Sequence, residues 1–207
     1  MMTEAPNVIL RYTRELEERV AAWALSKIEP KRISHVRWVV ETAERLALQH
    51  APDDVMRARL AGWIHDVAKH WPEDDLLDYA EAHRLAISET ERQVPSLLHG
   101  AVGYALANDV FLFDDDALRA ACAYHTTGAP DMDTLAKIVF LADMIEPGRS
   151  FPGVEAIRAD ADGDLDVAML RGIDFTITNL IERQKMIEPR AVLLHNQLVG
   201  EGVRYTP

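Results

Sequence analysis

Apolar residues recur three and four positions apart along most of this 207-residue chain, whereas apolar and polar residues rarely alternate over the length of a strand. A spacing of three to four matches the α-helical repeat, so the pattern predicts helices and argues against a sheet. The segment 30–50 shows the pattern most clearly, because one side of a helix there would carry six apolar side chains. These are Val36, Val39, Val40, Ala43, Leu46 and Ala47. We therefore predict an all-α fold.

Prolines and glycines divide this pattern into segments of ordinary helix length. No internal repeat, low-complexity block or linker separates the segments. We therefore expect one compact helical bundle at residues 30–199, with an N-terminal helix inside residues 1–29 and a tail at 200–207. The segment 88–94 is expected to be irregular or a single short turn. The predicted helices cover residues 12–28, 30–50, 55–69, 72–83, 96–108, 116–126, 132–145, 154–159, 164–185 and 189–199.

Charge and cysteine content restrict the classes of partner. The chain has 22 Lys and Arg against 34 Asp and Glu, a net charge of −12, and we find no basic stripe. Proteins that bind duplex nucleic acid usually carry such a stripe, so we expect no nucleic-acid partner. With Cys122 as its single cysteine, the chain has neither an internal disulfide nor a cysteine-based zinc site. An apolar run long enough to cross a membrane and a signal-peptide pattern are both missing, so we expect a cytoplasmic protein.

Two acidic residues stand in strongly apolar surroundings. Asp66 follows His65 within a predicted apolar helix, and Asp143 interrupts the apolar segment 138–145. An ionised carboxylate is rarely buried without a partner, and a divalent metal would satisfy carboxylate and imidazole together. The ordinary alternative is a core histidine beside an Asp that pairs with Lys69. A lone His-Asp dipeptide favours that alternative.

Three further histidines shift the balance towards a metal. His35 precedes a valine-rich helix face, His99 follows two leucines, and His125 ends an otherwise apolar helix. Each alone is more often structural. Together with the two acidic sites they favour one shared metal centre, which would also supply positive charge for a small phosphorylated substrate in an acidic protein.

The order His35, His65-Asp66, Asp143 resembles the metal-binding signature of the HD superfamily of phosphohydrolases. Longer strings are similar to one branch of it, the YqeK family of bacterial symmetrical diadenosine tetraphosphatases, over residues 31 to 196. These strings are Ala-Gly-Trp-Ile-His-Asp-Val-Ala-Lys at 61–69, Leu-His-Gly at 98–100, His-Thr-Thr-Gly at 125–128 and Leu-Ala-Asp-Met-Ile-Glu-Pro-Gly-Arg at 141–149.

The resemblance implies an HD-domain fold and a role for each matching residue. It implies that His35, His65, Asp66 and Asp143 bind a divalent metal. Iron is the metal of the family's best-described form, and manganese and zinc are alternatives.

Further roles concern catalysis and the nucleotide. Asp66 is a candidate for proton transfer, and His99 and His125 are either catalytic nucleotide contacts or ligands of a second ion. The expected substrate contacts, beyond these two histidines, are Lys69, Thr126, Asp143, Arg149 and His195. Lys69 has a surface ion pair as its alternative role. Ala191 and His195 stand where the resemblance leads us to expect a hydroxyl residue and a tyrosine, which puts recognition of the base or ribose in doubt.

The implied activity is metal-dependent cleavage of diadenosine tetraphosphate into two ADP. A related possibility is HD-type hydrolysis of a nucleoside mono- or triphosphate, or of a cyclic or alarmone nucleotide. A third is a regulator that binds nucleotide without turnover, although the complete set of candidate ligands argues against it. The N-terminal helix would pack on its own domain or on a neighbouring copy, so a homodimer is among the arrangements considered.

Overall fold

The computed structural model describes residues 12–206, and within that range the chain forms α-helices, short 3₁₀ turns and no β-strand. The prediction of an all-α fold is confirmed. The first eleven residues, including the start of the proposed N-terminal region, lie outside the described range, as does residue 207. The helices are α1 (Arg14–Leu25), α2 (Ile33–His50), α3 (Val55–Ile64), α4 (Glu73–Ala82), α5 (Glu89–Gln93), α6 (His99–Phe111), α7 (Asp116–Tyr124), α8 (Thr134–Ile145), α9 (Val154–Gly163), α10 (Leu165–Glu182) and α11 (Pro189–Gly200).

Helices α2, α3 and α8 pack against one another at the centre of the bundle. The six apolar side chains predicted to share one side of α2 are all buried. Helix α8 is buried around most of its circumference, since Ile138, Val139, Phe140 and Leu141 follow one another in the sequence and each is at most 1% exposed. Helices α6 and α7 pack together on α3, and α9, α10 and α11 form a connected group next to α8. The result is a compact helical fold.

Helix α1 packs against α3 of the same chain. Its Glu17 is buried and accepts hydrogen bonds from Arg59 Nε at 2.8 Å and from Trp63 Nε1 at 3.1 Å. Val20 and Ala24 lie one and two turns further along α1 and are fully buried. The first described helix is therefore attached to α3 of its own chain by apolar packing and by a partly buried ion pair.

Several predicted elements differ from the structure: the helix predicted at 154–159 continues to Gly163, and the one predicted at 96–108 begins with a 3₁₀ turn and ends at Phe111. The helix predicted at 55–69 ends at Ile64, so His65 and Asp66 lie in the turns that follow α3 and not inside a helix. Helical spacing could not reveal this end, because Val67 and Ala68 in the turns are also buried. At 88–94 the structure has the five-residue helix α5, which begins at a capping box formed by Ser88 and Glu91.

Within residues 12–206, none of the helices combines the length and the apolar character that crossing a lipid bilayer requires.

Candidate active site

Three buried histidines are oriented in the same way by their own backbone. The Nδ1 atoms of His65, His99 and His125 lie 2.8, 2.6 and 2.7 Å from the carbonyl oxygen three residues earlier in the chain. A carbonyl oxygen only accepts, so each Nδ1 carries the ring hydrogen and each Nε2 keeps its lone pair. This is the tautomer that a histidine needs to bind a metal through Nε2.

His35 is oriented by a side chain instead. Its Nδ1 lies 3.2 Å from Oε1 of Glu146, a residue that is 3% exposed. The Nε2 atom of His35 therefore points the other way, to a position 3.2 Å from Asp143 Oδ1 and 3.5 Å from Asp66 Oδ2. Four imidazoles thus offer Nε2 atoms from α2, from the turn after α3, from the start of α6 and from the end of α7.

The predicted metal ligands converge. His65 Nε2 lies 3.5 Å from Asp66 Oδ2, and the candidate ligand atoms of His35, His65 and Asp143 all lie within 4.8 Å of one another. A second set at the same spacing combines His65, Asp66 and His125. Ligand atoms bound to one cation at about 2.1 Å are separated by roughly 3 Å or more, so these separations are of the size that a metal site requires.

Two of these nitrogens support a cation at this position. The Nε2 atoms of His35 and His65 are buried, and neither has a hydrogen-bond partner among the described residues. A buried polar atom without a partner costs free energy. A divalent metal bound by both nitrogens and by the carboxylates of Asp66 and Asp143 would remove that cost.

The carboxylates are held ionised. Burial raises the pKa of Asp66, but the neighbouring His65, His35 and His99 outweigh it and place that pKa well below its usual range. Asp143 behaves in the same way, because His35 and Arg149 outweigh its burial and also lower its pKa. Both groups are therefore anions at neutral pH.

The histidines respond to this charge differently. Burial, followed by His99 and His65, lowers the pKa of His125 to about 3, so its ring is neutral. Burial would also lower the pKa of His35, but Asp143 and Asp66 raise it to about 9. The carboxylates around His35 thus attract positive charge, either as a proton on this ring or as a metal cation.

Other predicted residues lie beside this cluster. His99 Nε2 and His125 Nε2 are 3.0 Å apart, and Lys69 Nζ lies 3.2 Å from His99 Nε2. Thr126 Oγ1 is 3.0 Å from His125 Nε2. Because both facing nitrogens carry lone pairs, Lys69 and Thr126 supply the hydrogens that this pair of rings needs. Arg149 donates from Nη2 to Asp143 Oδ1 at 2.5 Å and from Nε to the Asp143 carbonyl at 2.8 Å.

Two cavities meet at Thr126. The smaller has a volume of about 200 Å³ and reaches the candidate site. It is lined by His125, Thr126, Phe140, Asp143, Met144, Arg149, Phe151 and Phe175. The larger, of about 400 Å³, lies between the segment before α6 and the α10–α11 connection, and its lining includes Ser96, Thr126, Thr176, Lys185 and Ala191.

His195 is the predicted substrate contact that the structure places apart. It is not among the residues that line either cavity, and its Nδ1 lies 2.6 Å from Asp174 Oδ1. The second oxygen of Asp174 accepts a hydrogen bond from the Tyr205 hydroxyl at 2.6 Å. His195 is thus engaged in linking α10, α11 and the C-terminal segment.

Sequence reasoning missed two residues that touch the cluster. Arg32 donates to Asp66 Oδ2 from the residue just before α2, and Glu146 holds His35 from the end of α8. Glu146 lies inside a quoted string, but its type and its place before a proline suggested only a loop residue. The sequence did contain one signal for Glu146: its carboxylate directly follows an apolar helix that already contains Asp143.

Gly100 explains how α6 and α7 approach closely enough to bring His99 to His125. A Cβ atom on Gly100 would lie 2.1 Å from the carbonyl oxygen of Cys122 and 2.8 Å from His125 Nδ1. Any side chain here would displace the carbonyl that orients the His125 ring. Packing therefore requires a glycine directly after His99.

Comparison with known proteins agrees with this geometry. The sequence model of the HD domain family matches residues 32–148. A protein of Halalkalibacterium halodurans named "Bis(5'-nucleosyl)-tetraphosphatase, symmetrical" is 37% identical over 183 residues, which cover 86% of this chain and 96% of the relative. A Bacillus subtilis protein with the same name is 32% identical, and the match covers 88% of this chain and 97% of the relative.

A solved structure gives the same result for the fold. The crystal structure of a Clostridium acetobutylicum protein described as a predicted HD superfamily hydrolase involved in NAD metabolism superposes with a TM-score of 0.84 at 34% identity. The match covers 89% of this chain and 97% of that one. The site that the sequence singled out lies within the matched region, and the chain belongs to the HD domain family, whose members are divalent-metal-dependent hydrolases.

Proposed function

We propose that this protein hydrolyses diadenosine tetraphosphate symmetrically and releases two molecules of ADP. The relatives that carry this activity in their names are 32–37% identical to it over most of both chains. The observation that carries the proposal is the convergence of His35, His65 and Asp66 on Asp143, which lines a cavity together with Arg149. Cationic and metal-binding groups at one cavity suit a polyphosphate.

We assign the metal to His35, His65, Asp66 and Asp143. Nitrogen and oxygen donors in this combination suit iron, manganese and zinc. We propose iron as the resident ion, with manganese and zinc as alternatives, and a second ion held with His99 and His125. A bound divalent cation polarises a phosphoryl oxygen and makes a water molecule acidic enough to act as a nucleophile near neutral pH.

The chain's own residues would hold the polyphosphate. Arg149 presents a planar guanidinium at the smaller cavity, and such a group donates two parallel hydrogen bonds to a phosphate. Thr126 stands where the two cavities meet, so its hydroxyl can donate to phosphates that pass from one to the other. Lys69 Nζ, next to His99, adds positive charge beside the same path.

Proton transfer is assigned to Asp66, His99 and His125. Asp66 Oδ1 lies 3.4 Å from His99 Nε2, so this carboxylate can orient the attacking water and stabilise a proton that passes from the water to the His99 ring. The neutral His99 and His125 can accept a proton at Nε2 and deliver it to the leaving phosphate. Attack at the second phosphate from either end produces ADP on both sides.

A second candidate is hydrolysis of a different nucleotide by the same residues, such as a mono- or triphosphate or a cyclic or alarmone nucleotide. One observation favours it. The larger cavity contains the methyl side chain of Ala191 where a hydroxyl was expected, and His195 is paired with Asp174. Recognition of the base or ribose on that side therefore differs from the pattern expected for diadenosine tetraphosphate.

Product analysis separates these candidates. The purified, metal-loaded protein is incubated with diadenosine tetraphosphate and with a panel of mono-, tri- and cyclic nucleotides, and the products are resolved by chromatography. We expect ADP as the sole product from the dinucleotide. AMP plus ATP would contradict symmetrical cleavage, and an intact dinucleotide together with a cleaved member of the panel would favour the second candidate.

The remaining proposals concern the whole protein. We propose a domain at residues 30–199, an N-terminal helix region at 1–29, a tail at 200–207 and a cytoplasmic location, and both a monomer and a homodimer stay open. Light scattering on the purified protein tests the oligomeric state, because a monomer and a dimer of a 23.2 kDa chain differ twofold in mass.

A further inference from the structure

Four side chains of the smaller cavity have no role in the phosphate chemistry above. They are the apolar residues Phe140, Met144, Phe151 and Phe175. Phe151 and Phe175 are both half-buried. Phe151 comes from the loop after α8, and Phe175 comes from helix α10. The two partly exposed rings lie beside ionised side chains and leave an apolar surface that a ligand can cover.

The two accessible rings form one surface. Their centroids are 4.2 Å apart and their planes differ by 22°, so the rings are stacked on each other and a flat ligand can add at an outer face of the pair. This arrangement depends on close packing of α10 on α8 at Gly172, where a Cβ atom would lie 2.8 Å from Met144 Sδ and 3.5 Å from Phe140. Phe175 follows Gly172 by one helical turn and faces the same way.

The aromatic surface is joined to the candidate metal site by helix α8. Phe140, Asp143 and Met144 are spaced by three and four residues, so they lie on one face of α8, and all three line the cavity. Asp143 and Arg149 provide the polar end of the cavity, and the rings provide the apolar end. A ligand that fits is flat and apolar at one end and anionic at the other.

We propose that this cavity binds the adenine ring of one half of the substrate, with the ring stacked on the Phe151–Phe175 surface. The inference rests on the proposed function and names a base-binding site for it. A volume of about 200 Å³ is small for a drug-sized ligand, so the cavity admits a base but not a complete nucleotide. The phosphates would then lie at Arg149 and Thr126, on the side of the metal ligands.

The two halves of the symmetrical substrate would then bind in different surroundings. The second nucleoside would have to lie on the other side of Thr126, in the larger cavity, whose lining contains no aromatic side chain among the described residues. Stacking is therefore available to one base. Selectivity for a purine should come from the Phe151–Phe175 side, since a larger ring system stacks over a larger area.

Binding of ADP and UDP tests the proposal without relying on turnover. Calorimetry is done on the metal-loaded wild type, Phe175→Leu, Phe151→Leu and Phe175→Tyr. We expect each leucine variant to lower the ADP affinity of one site about tenfold, equal to about 1.4 kcal/mol of binding free energy. The UDP affinity should fall less. Phe175→Tyr keeps the stacking surface, so its ADP affinity should stay within about twofold of the wild type.

Phe111→Leu is the matched control, because it makes the same change at a half-buried ring that packs on Trp23, outside both cavities. It should leave ADP binding unchanged. Unaltered ADP affinity in both leucine variants, an equal loss for ADP and UDP, or no ADP binding by the wild type would overturn the proposal. If Phe175→Leu does not fold, the Phe151→Leu result decides. Binding as expected without cleavage of the dinucleotide would contradict the proposed function alone.

Discussion

At the residue scale, the candidate ligands differ in what holds them. The rings of His65, His99 and His125 are fixed by carbonyls of their own backbone, which cannot be mutated away. His35 alone among them is oriented by a side chain, the carboxylate of Glu146. The second oxygen of Glu146 accepts a hydrogen bond from the backbone N–H of Gly148, which fixes the carboxylate in turn. Glu146 is therefore a positioning residue.

Glu146→Gln should weaken metal binding without removing a ligand. The amide keeps the size of the carboxylate but loses its charge and one acceptor oxygen, so His35 is less basic and less well oriented. We expect metal affinity to fall by roughly tenfold, the lower end of the effect of outer-shell partners. Metal titration of the variant measures it. Glu155→Gln, at an exposed carboxylate of α9, is the control and should bind as the wild type does, and equal affinity for both variants would contradict the role of Glu146.

The sequence identified candidate site residues where a charged residue stands in an apolar segment. Asp66 and Asp143 could be identified because a carboxylate in an apolar segment needs a partner, and the structure brings both to His35. Arg32 and Glu146 could not be identified in this way. Arg32 lies two residues after Pro30 and Glu146 directly before Pro147, where charged residues are ordinary, and their contacts join positions 34 and 111 residues apart.

At the scale of elements, the end of α3 determines the site. Successive residues in a helix point about 100° apart, so His65 and Asp66 inside a helix could not both face one ion easily. α3 stops at Ile64, the N–H groups of Val67 and Lys69 bond in tighter turns to the carbonyls of Ile64 and Asp66, and the side chains of His65 and Asp66 both reach the cluster. Helical spacing predicted that α3 exists and where it begins, but burial of the following turns concealed where it ends.

Helix α1 is joined to α3 by an ion pair whose strength depends on pH. Burial raises the pKa of Glu17, but Arg59 and Trp63 outweigh it, so the pKa lies below the usual value. A carboxylate with a lowered pKa in the folded state stabilises the protein above its unfolded-state pKa, and this stabilisation is lost as the pH falls through the folded-state value.

Glu17→Gln should accordingly lower the free energy of unfolding by about 2 kcal/mol at neutral pH, or Tm by about 4–8 °C. The difference from the wild type should shrink as the solution is made acidic, since protonation then removes the same charge from the wild type. Thermal unfolding at several pH values checks both statements. Glu18→Gln, at the exposed neighbour, is the control, and a difference that grows towards acid pH would refute the account of this pair.

At the scale of the whole molecule, the site is a junction between parts distant in the sequence. His35 comes from α2, His65 and Asp66 from the turns after α3, and Asp143 from α8, the three helices that form the centre of the bundle. A cation bound by all four would therefore link the core helices, and its binding free energy would add to the stability of the fold.

Removal of the metal should then destabilise the entire domain. A ligand present at a hundred times its Kd stabilises the native state by about 2.7 kcal/mol, which corresponds to a Tm lower by roughly 5–10 °C after treatment with a chelator. Calorimetric scans before and after chelation measure the change, and return of the divalent metal should restore it. A Tm unaffected by the chelator, in protein shown to have lost its metal, would mean that the cation does not link the helices.

Elemental analysis of the protein purified without chelator tests the central claim most directly. The wild type should carry roughly one divalent metal ion per chain or more. Asp66→Ala removes a buried carboxylate of the cluster and should abolish most of this content, whereas Asp109→Ala, at an exposed carboxylate of α6, should retain it. Equal metal content in folded Asp66→Ala and in the wild type would contradict the assignment of this cluster as the metal centre.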